Sequence, residues 1–169
     1  MRHLFNIFSD SWLIFLLILF PVTYLAHIAE EYWGGGGYSS YLMRSHFVEL
    51  SPARFLVLQS LGMVLMLIGF LISIPLRFPL TMLTIIATVI LVNGLVHSAR
   101  SFFEWDYTPG LVTAVLLWIP LGAISLVNTW NNMRVGRFFF AFAVGCAISL
   151  LIEVIAMRGG RVLVSMSRQ

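Results

Sequence analysis

The chain has 169 residues, 60% hydrophobic and 10% charged, with a mean hydropathy of +0.95. A soluble domain of this size must cover itself with polar groups, so the composition excludes one and indicates an integral membrane protein. The net charge of +3 rests on ten basic residues, every one an arginine near the end of a hydrophobic segment. Such arginines reach lipid headgroups, and no basic face is left for nucleic acid.

Five apolar segments are each long enough to cross ~30 Å of hydrocarbon. The first covers roughly 11–33. Ser9, Asp10 or Ser11 can cap it, and Pro21 is expected to kink it. Neither Ala26 nor Ala29 has the second small residue that a signal-peptide cleavage site needs, so the segment reads as a retained helix. Gly34 to Gly37 break it. Residues 38–50 mix apolar and charged side chains and predict a short helix lying in the interface.

The second segment, 52–74, opens with Ser51-Pro52, a cap followed by proline at the first helical position, and stops at Pro75. The third covers 80–101. The fourth, 109–129, repeats the cap-proline start at Thr108-Pro109 and holds a second expected kink at Pro120. The fifth covers 135–157 and is expected to end at Gly159-Gly160. Cys146 lies in an apolar run and, as the single cysteine, excludes an intramolecular disulfide. The fold expected is an all-α single domain, a bundle of five transmembrane helices with a short interfacial helix. Arginine counts of six against four on the two faces favour a cytoplasmic C-terminus, and the expected location is a bacterial inner membrane.

An odd number of spans turns scattered polar residues into a site. The C-terminal ends of segments one, three and five share one face with the starts of two and four. At ~1.5 Å per residue, His27, Asn93, His97, Glu153, Gln59 and Thr113 all fall within roughly 6–12 Å of that face. His27, Glu30 and Glu31, spaced three and four apart, lie on one side of their helix. The opposite half is almost wholly apolar, and ionisable groups inside a membrane point to function.

Two chemistries suit such a pocket. His27, Glu31, His97 and Glu153 would serve as ligands for zinc, iron or manganese. Without metal, Glu30 or Glu31 would act as a proton donor and His27 or His97 as its partner base, since burial disfavours the charged form of a carboxyl. That set could protonate an alkene or shift a double bond in a lipid. Asn93 would orient His97 or the substrate, and Tyr24, Gln59, Tyr107 and Thr113 would line the substrate pocket.

The run His27-Ile28-Ala29-Glu30-Glu31 resembles the signature of the HXXEE family of small bacterial membrane proteins. That family's pattern also carries Asn-x-x-x-His and a later Tyr-x-Pro-Gly, matched here by Asn93 with His97 and by Tyr107-Thr108-Pro109-Gly110. The resemblance covers segments one to four. It implies that His27, Glu30, Glu31, Asn93 and His97 act together, and it implies no reaction. Sterol isomerases of the emopamil-binding type offer an analogy of architecture only, with no shared motif.

The expected function is that of a membrane enzyme acting on a lipid or isoprenoid-like substrate by isomerisation, cyclisation or hydrolysis, with the glycine stretch and interfacial helix as a lid. The alternatives are a proton- or cation-coupled carrier and a non-catalytic structural subunit. The sequence sets neither the substrate nor the oligomeric state.

Overall fold

The computed structural model describes residues 11–166, with side chains from 15 to 157. The described residues form six helices and no strand. They are α1 (Ser11–Trp33), α2 (Tyr38–His46), α3 (Pro52–Ser73), α4 (Pro79–Glu104), α5 (Leu111–Asn132) and α6 (Val135–Met166). All but α2 are long and apolar enough to cross a membrane, which marks the chain as an integral membrane protein. Residues 9 and 10, expected as caps, lie outside the described residues.

α4 is the central span. It packs against α3, α5 and α6, while α1 packs against α3 and the first turn of α5. Small residues bring the helices close. A Cβ at Gly122 would meet the Ala87 carbonyl at 3.0 Å, and one at Gly145 would meet the Ile85 carbonyl at 2.8 Å. The half of the bundle nearest the start of α1 is filled by Leu16, Phe20, Met66, Phe70, Leu83 and Ile90. Three buried hydroxyls in that half are satisfied within their own helices: Ser73 donates to Phe70 O, Thr84 to Leu80 O, and Thr88 to Thr84 O. Leu16, Phe20 and Leu83 therefore close this half with apolar packing. Ile18, Leu25, Leu65 and Leu71 face outward, as lipid requires.

Ser51 caps α3 by accepting from Arg54 N, with Pro52 at the first position. At three places the helices depart from the simplest reading of their sequence. Thr108 does not cap α5: it lies in a turn in which Leu111 N donates to Thr108 O, and Gly110, at φ 95°, is the residue before the helix. The free amides of the first turn are met instead by Glu30 from α1, because a carboxylate is a stronger acceptor at the positive end of a helix than a hydroxyl. Second, α5 departs from α-helical bonding over Ala114–Trp118, where Ile119 N reaches Ala114 O in a π turn just before Pro120. Third, Gly159-Gly160 do not end α6, which continues to Met166; glycine inside a helix costs only about 1 kcal/mol.

α2 buries one face and leaves Met43 and Arg44 exposed on the other. Tyr38, Tyr41 and Leu42 are buried and form a second core with Val48, Leu50 and Phe55. Three glycines with positive φ, at 35, 36 and 37, turn the chain from α1 into α2. At Gly35 any Cβ would strike the Tyr107 ring at 2.7 Å, so α2 is held over the end of the bundle by a turn that only glycine permits.

Candidate metal centre

His27 and Glu31 lie one turn apart on α1, and His97 faces them from α4. Glu31 Oε1 is 3.6 Å from His27 Nε2 and 3.3 Å from His97 Nε2. One ligand atom from each of the three lies within 4.8 Å of the others. The three residues are only 1%, 3% and 2% exposed, for His27, Glu31 and His97 respectively, so the group is closed to solvent and lipid alike. A zinc ion with ligands at ~2.0–2.1 Å sets neighbouring ligands of a tetrahedron roughly 3.3 Å apart. The two measured separations are close to that edge, and 3.6 Å is too long for a hydrogen bond. The set can accept a metal ion.

The surrounding hydrogen bonds decide which nitrogen of His27 is available. Glu30 accepts from the Tyr107 hydroxyl at 2.5 Å, from Val112 N at 2.8 Å, from Thr113 N at 2.6 Å and from Thr113 Oγ1 at 2.5 Å. The Thr113 hydroxyl has one proton, and its contact to Glu30 is shorter than its 3.2 Å contact to Gly110 O. Thr113 Oγ1 therefore accepts from His27 Nδ1–H, 2.7 Å away. A neutral His27 then carries its lone pair on Nε2, the atom that faces Glu31. That atom is buried and has no hydrogen-bond partner among the described residues. Trp118, brought inward on the π turn, stacks on the His27 ring with centroids 3.6 Å apart and fixes its plane.

Glu31 is oriented in the same manner. Gln59 Nε2 donates to Glu31 Oε2 at 2.5 Å, and Tyr24 donates to Gln59 Oε1 at 2.8 Å. Glu31 Oε1 is left to face both imidazoles. Partners of this kind set the tautomer and rotamer of metal ligands in other proteins. Tyr24, Gln59, Tyr107 and Thr113 were expected to line a substrate pocket. In the structure Gln59 and Thr113 bond directly to Glu31 and His27, Tyr24 bonds to Gln59, and Tyr107 bonds to Glu30. Burial and the neighbouring Glu30 carboxylate push the Tyr107 hydroxyl up to about 12, so it remains a donor at any physiological pH.

Two expected residues lie apart from the group. Glu153 pairs with Arg100 Nη2 at 2.5 Å, and Arg100 Nη1 donates to the Tyr38 hydroxyl at 3.1 Å. This ties α2 to α4 and α6. Asn93 lines a cavity of about 10 Å³ with Ser149 and Glu153, and its Oδ1 has no partner among the described residues. It makes no hydrogen bond to His97, so it does not orient that ring. Glu30 is engaged by four donors as the cap of α5, which leaves it a positioning role.

Residues that sequence reasoning left out of the site also touch it. Gly110 rests directly on the centre: a Cβ there would meet His27 Cε1 at 2.8 Å and both Glu31 Cγ and His97 Cε1 at 3.0 Å. The Tyr38 ring lies 6.1 Å from that of His97. Trp118 lies in the π turn and reaches over His27.

Residues 18–125 match the family described as protein of unknown function with HXXEE motif. The chain belongs to this family. The matched stretch holds His27, Glu30, Glu31, His97, Gly110 and Thr113, the residues that meet in space, and ends before Glu153. No curated protein and no solved structure matches the chain.

Thr113→Val keeps the shape of the side chain and removes the acceptor for His27 Nδ1–H. Metal affinity in a competition titration is expected to fall roughly 10–100-fold, the usual effect of losing such a partner. Thr113→Ser should restore it. Equal affinity in Thr113→Val and wild type would contradict the tautomer assignment.

Proposed function

We propose that this HXXEE protein is a membrane-embedded, metal-dependent enzyme acting on a lipid or isoprenoid-like substrate. One divalent transition metal (zinc, iron or manganese) would be held by His27, Glu31 and His97. The observation that carries this reading is the convergence of three buried ligand atoms, with His27 turned by Thr113 and Glu31 turned by Gln59. Two imidazoles and one carboxylate leave coordination positions open, so a bound metal would supply Lewis acidity for isomerisation, cyclisation or hydrolysis. The protein's own part is to orient these groups and to exclude water.

A buried centre needs a way in for its substrate. α2 and the glycine turn cover it, tied down by Arg100 to Tyr38 and by Tyr41 to Glu104 Oε2 at 2.9 Å. Burial, then the bond to Glu104, pushes the Tyr41 hydroxyl up to about 12, which keeps it a donor. Displacement of α2 would open the centre toward the headgroups, where a lipid could enter sideways. A carrier would need polar access through the other half of the bundle, which Leu16, Phe20 and Leu83 fill. The proposed location is a bacterial inner membrane with the C-terminus cytoplasmic, on the arginine counts at the two faces.

The test is conversion of lipid. Purified protein loaded with zinc, iron(II) or manganese(II) is reconstituted in liposomes of a total bacterial lipid extract, and lipids are followed by mass spectrometry. Wild type is expected to deplete one lipid class with at least one metal, and His97→Ala to deplete none. No change in any lipid at full metal occupancy would remove the enzymatic reading while leaving the metal centre standing.

A further inference from the structure

The helix that covers the centre carries a second pair of ligand-type side chains. α2 ends at His46 and α4 ends at Glu104. His46 Nε2 lies 3.6 Å from Glu104 Oε1, the same separation that His27 Nε2 has from Glu31 Oε1. Unlike that buried pair, these side chains are 23% and 29% exposed, so an ion can reach them from water.

Tyr41 prepares the pair. Its ring packs edge-on against the His46 ring, with centroids 5.7 Å apart and planes at 86°. Its hydroxyl has one proton, and Glu104 Oε2 accepts it at 2.9 Å. Glu104 Oε1 is thereby left to face His46, as Gln59 leaves Glu31 Oε1 to face the imidazoles. His46 Nε2 has two oxygens nearby, Glu104 Oε1 at 3.6 Å and the Tyr41 hydroxyl at 3.4 Å. Both distances exceed the roughly 2.7–3.2 Å of an N–H···O hydrogen bond. The separation of Nε2 from Oε1 suits instead two corners of a zinc tetrahedron, roughly 3.3 Å apart.

The backbone favours a cation at this point. An α-helix is negative at its C-terminal end, where basic groups stabilise it and acids do not. α4 has no basic residue in its last turn and closes on Glu104. α2 brings its own C-terminal end alongside through His46. Arg100 is engaged by Glu153 and the Tyr38 hydroxyl, and Arg44 by Gly35 O, so His46 is the basic group that faces Glu104.

We propose that His46 and Glu104 form a second, accessible site for one divalent transition-metal ion, which clips α2 to α4. An imidazole nitrogen and a carboxylate oxygen are ligands that zinc takes, and water would complete the shell. The pair joins the last residue of α2 to the last residue of α4, so an ion shared between them holds the cover down. Glu104 lies seven residues beyond His97, roughly 10 Å along α4 at ~1.5 Å per residue, so the two sites share no ligand. An ion on two protein ligands is held more weakly than one on three, so purification strips it and leaves one ion per chain in the buried centre. The clip rests on the reading of α2 as the cover of that centre; the site itself does not.

Zinc titration of the full metal-free chain in detergent, followed by calorimetry, tests the site. The wild type is expected to bind one zinc tightly and a second more weakly. His46→Gln and Glu104→Gln should each weaken the second event at least about tenfold, or 1.4 kcal/mol, and leave the first unchanged. Glu104→Gln keeps an acceptor for Tyr41, so displacement of α2 cannot imitate loss of the ligand. His97→Ala should lose the tight event and keep the weak one, which separates failure of the buried centre from failure of this site. In that variant zinc should also slow amide hydrogen exchange over 38–46, and adding His46→Gln should remove the effect. Zinc binding undiminished in both His46→Gln and Glu104→Gln, or loss of every event in His97→Ala, would overturn the proposal. Exchange over α2 that ignores the weakly bound zinc would overturn the clip.

Discussion

Gly110→Ala is expected to abolish metal binding and to lower the stability of the metal-free protein by about 2 kcal/mol or more. Two costs combine. The residue sits at φ 95°, where a side chain strains the backbone by about 1–2 kcal/mol. The added methyl would also lie 2.8–3.0 Å from carbons of His27, Glu31 and His97. Two of the three cannot retreat freely: Thr113 and Trp118 hold His27, and Gln59 holds Glu31. Over-packing of this sort costs about 1–3 kcal/mol in a dense interior. A single methyl group would thus push the ligand atoms apart. Metal titration together with thermal unfolding in detergent measures both effects. Full metal occupancy in this variant would mean that the turn Tyr107-Thr108-Pro109-Gly110 does not shape the centre.

Glu31→Gln separates a metal centre from a cluster that merely fixes packing. The amide has the same shape and can still accept from Gln59, but it is a poor ligand. Metal affinity is expected to fall at least about 100-fold, some 2.7 kcal/mol. Stability of the chelator-treated protein should stay level or rise, because a buried charge with incomplete compensation is removed. A structural cluster predicts the reverse. Removing the carboxylate would then lower stability by about 3 kcal/mol, as when one partner of a buried ion pair is lost, and would leave metal content untouched. Unfolding with and without chelator, for wild type and Glu31→Gln, distinguishes the two.

Much of this architecture was legible in the residues. Hydropathy alone gave five spans, because lipid demands about 20 apolar residues for each crossing. Ser51-Pro52 marked the start of α3 through local chemistry. Thr108-Pro109 looked the same and was not a cap, since the acceptor for α5 comes from Glu30, 83 residues from Thr113. No local rule can find a cap supplied by another helix. Span direction placed His27 and His97 at a common depth, yet depth says nothing of rotation about a helix axis. That rotation sends Asn93 toward Ser149 and Glu153, and it makes Glu153 the partner of Arg100. The roles of Glu30 and Glu31 diverge for the same reason. Adjacent on the chain, they point 100° apart on the helix, one to the start of α5 and one to the imidazoles. The π turn that carries Trp118 over His27 had only Pro120 as its sequence signal.

Elemental analysis of the purified protein tests the central claim most directly. Cells are supplied with zinc, iron and manganese, the protein is extracted in detergent without chelator, and metal per chain is counted. Wild type and Glu153→Gln are expected to hold one transition-metal ion per chain, and His27→Ala, Glu31→Gln and His97→Ala to hold almost none. A wild-type protein free of metal even after loading, or His97→Ala with undiminished metal, would contradict the assignment of His27, Glu31 and His97 as its ligands.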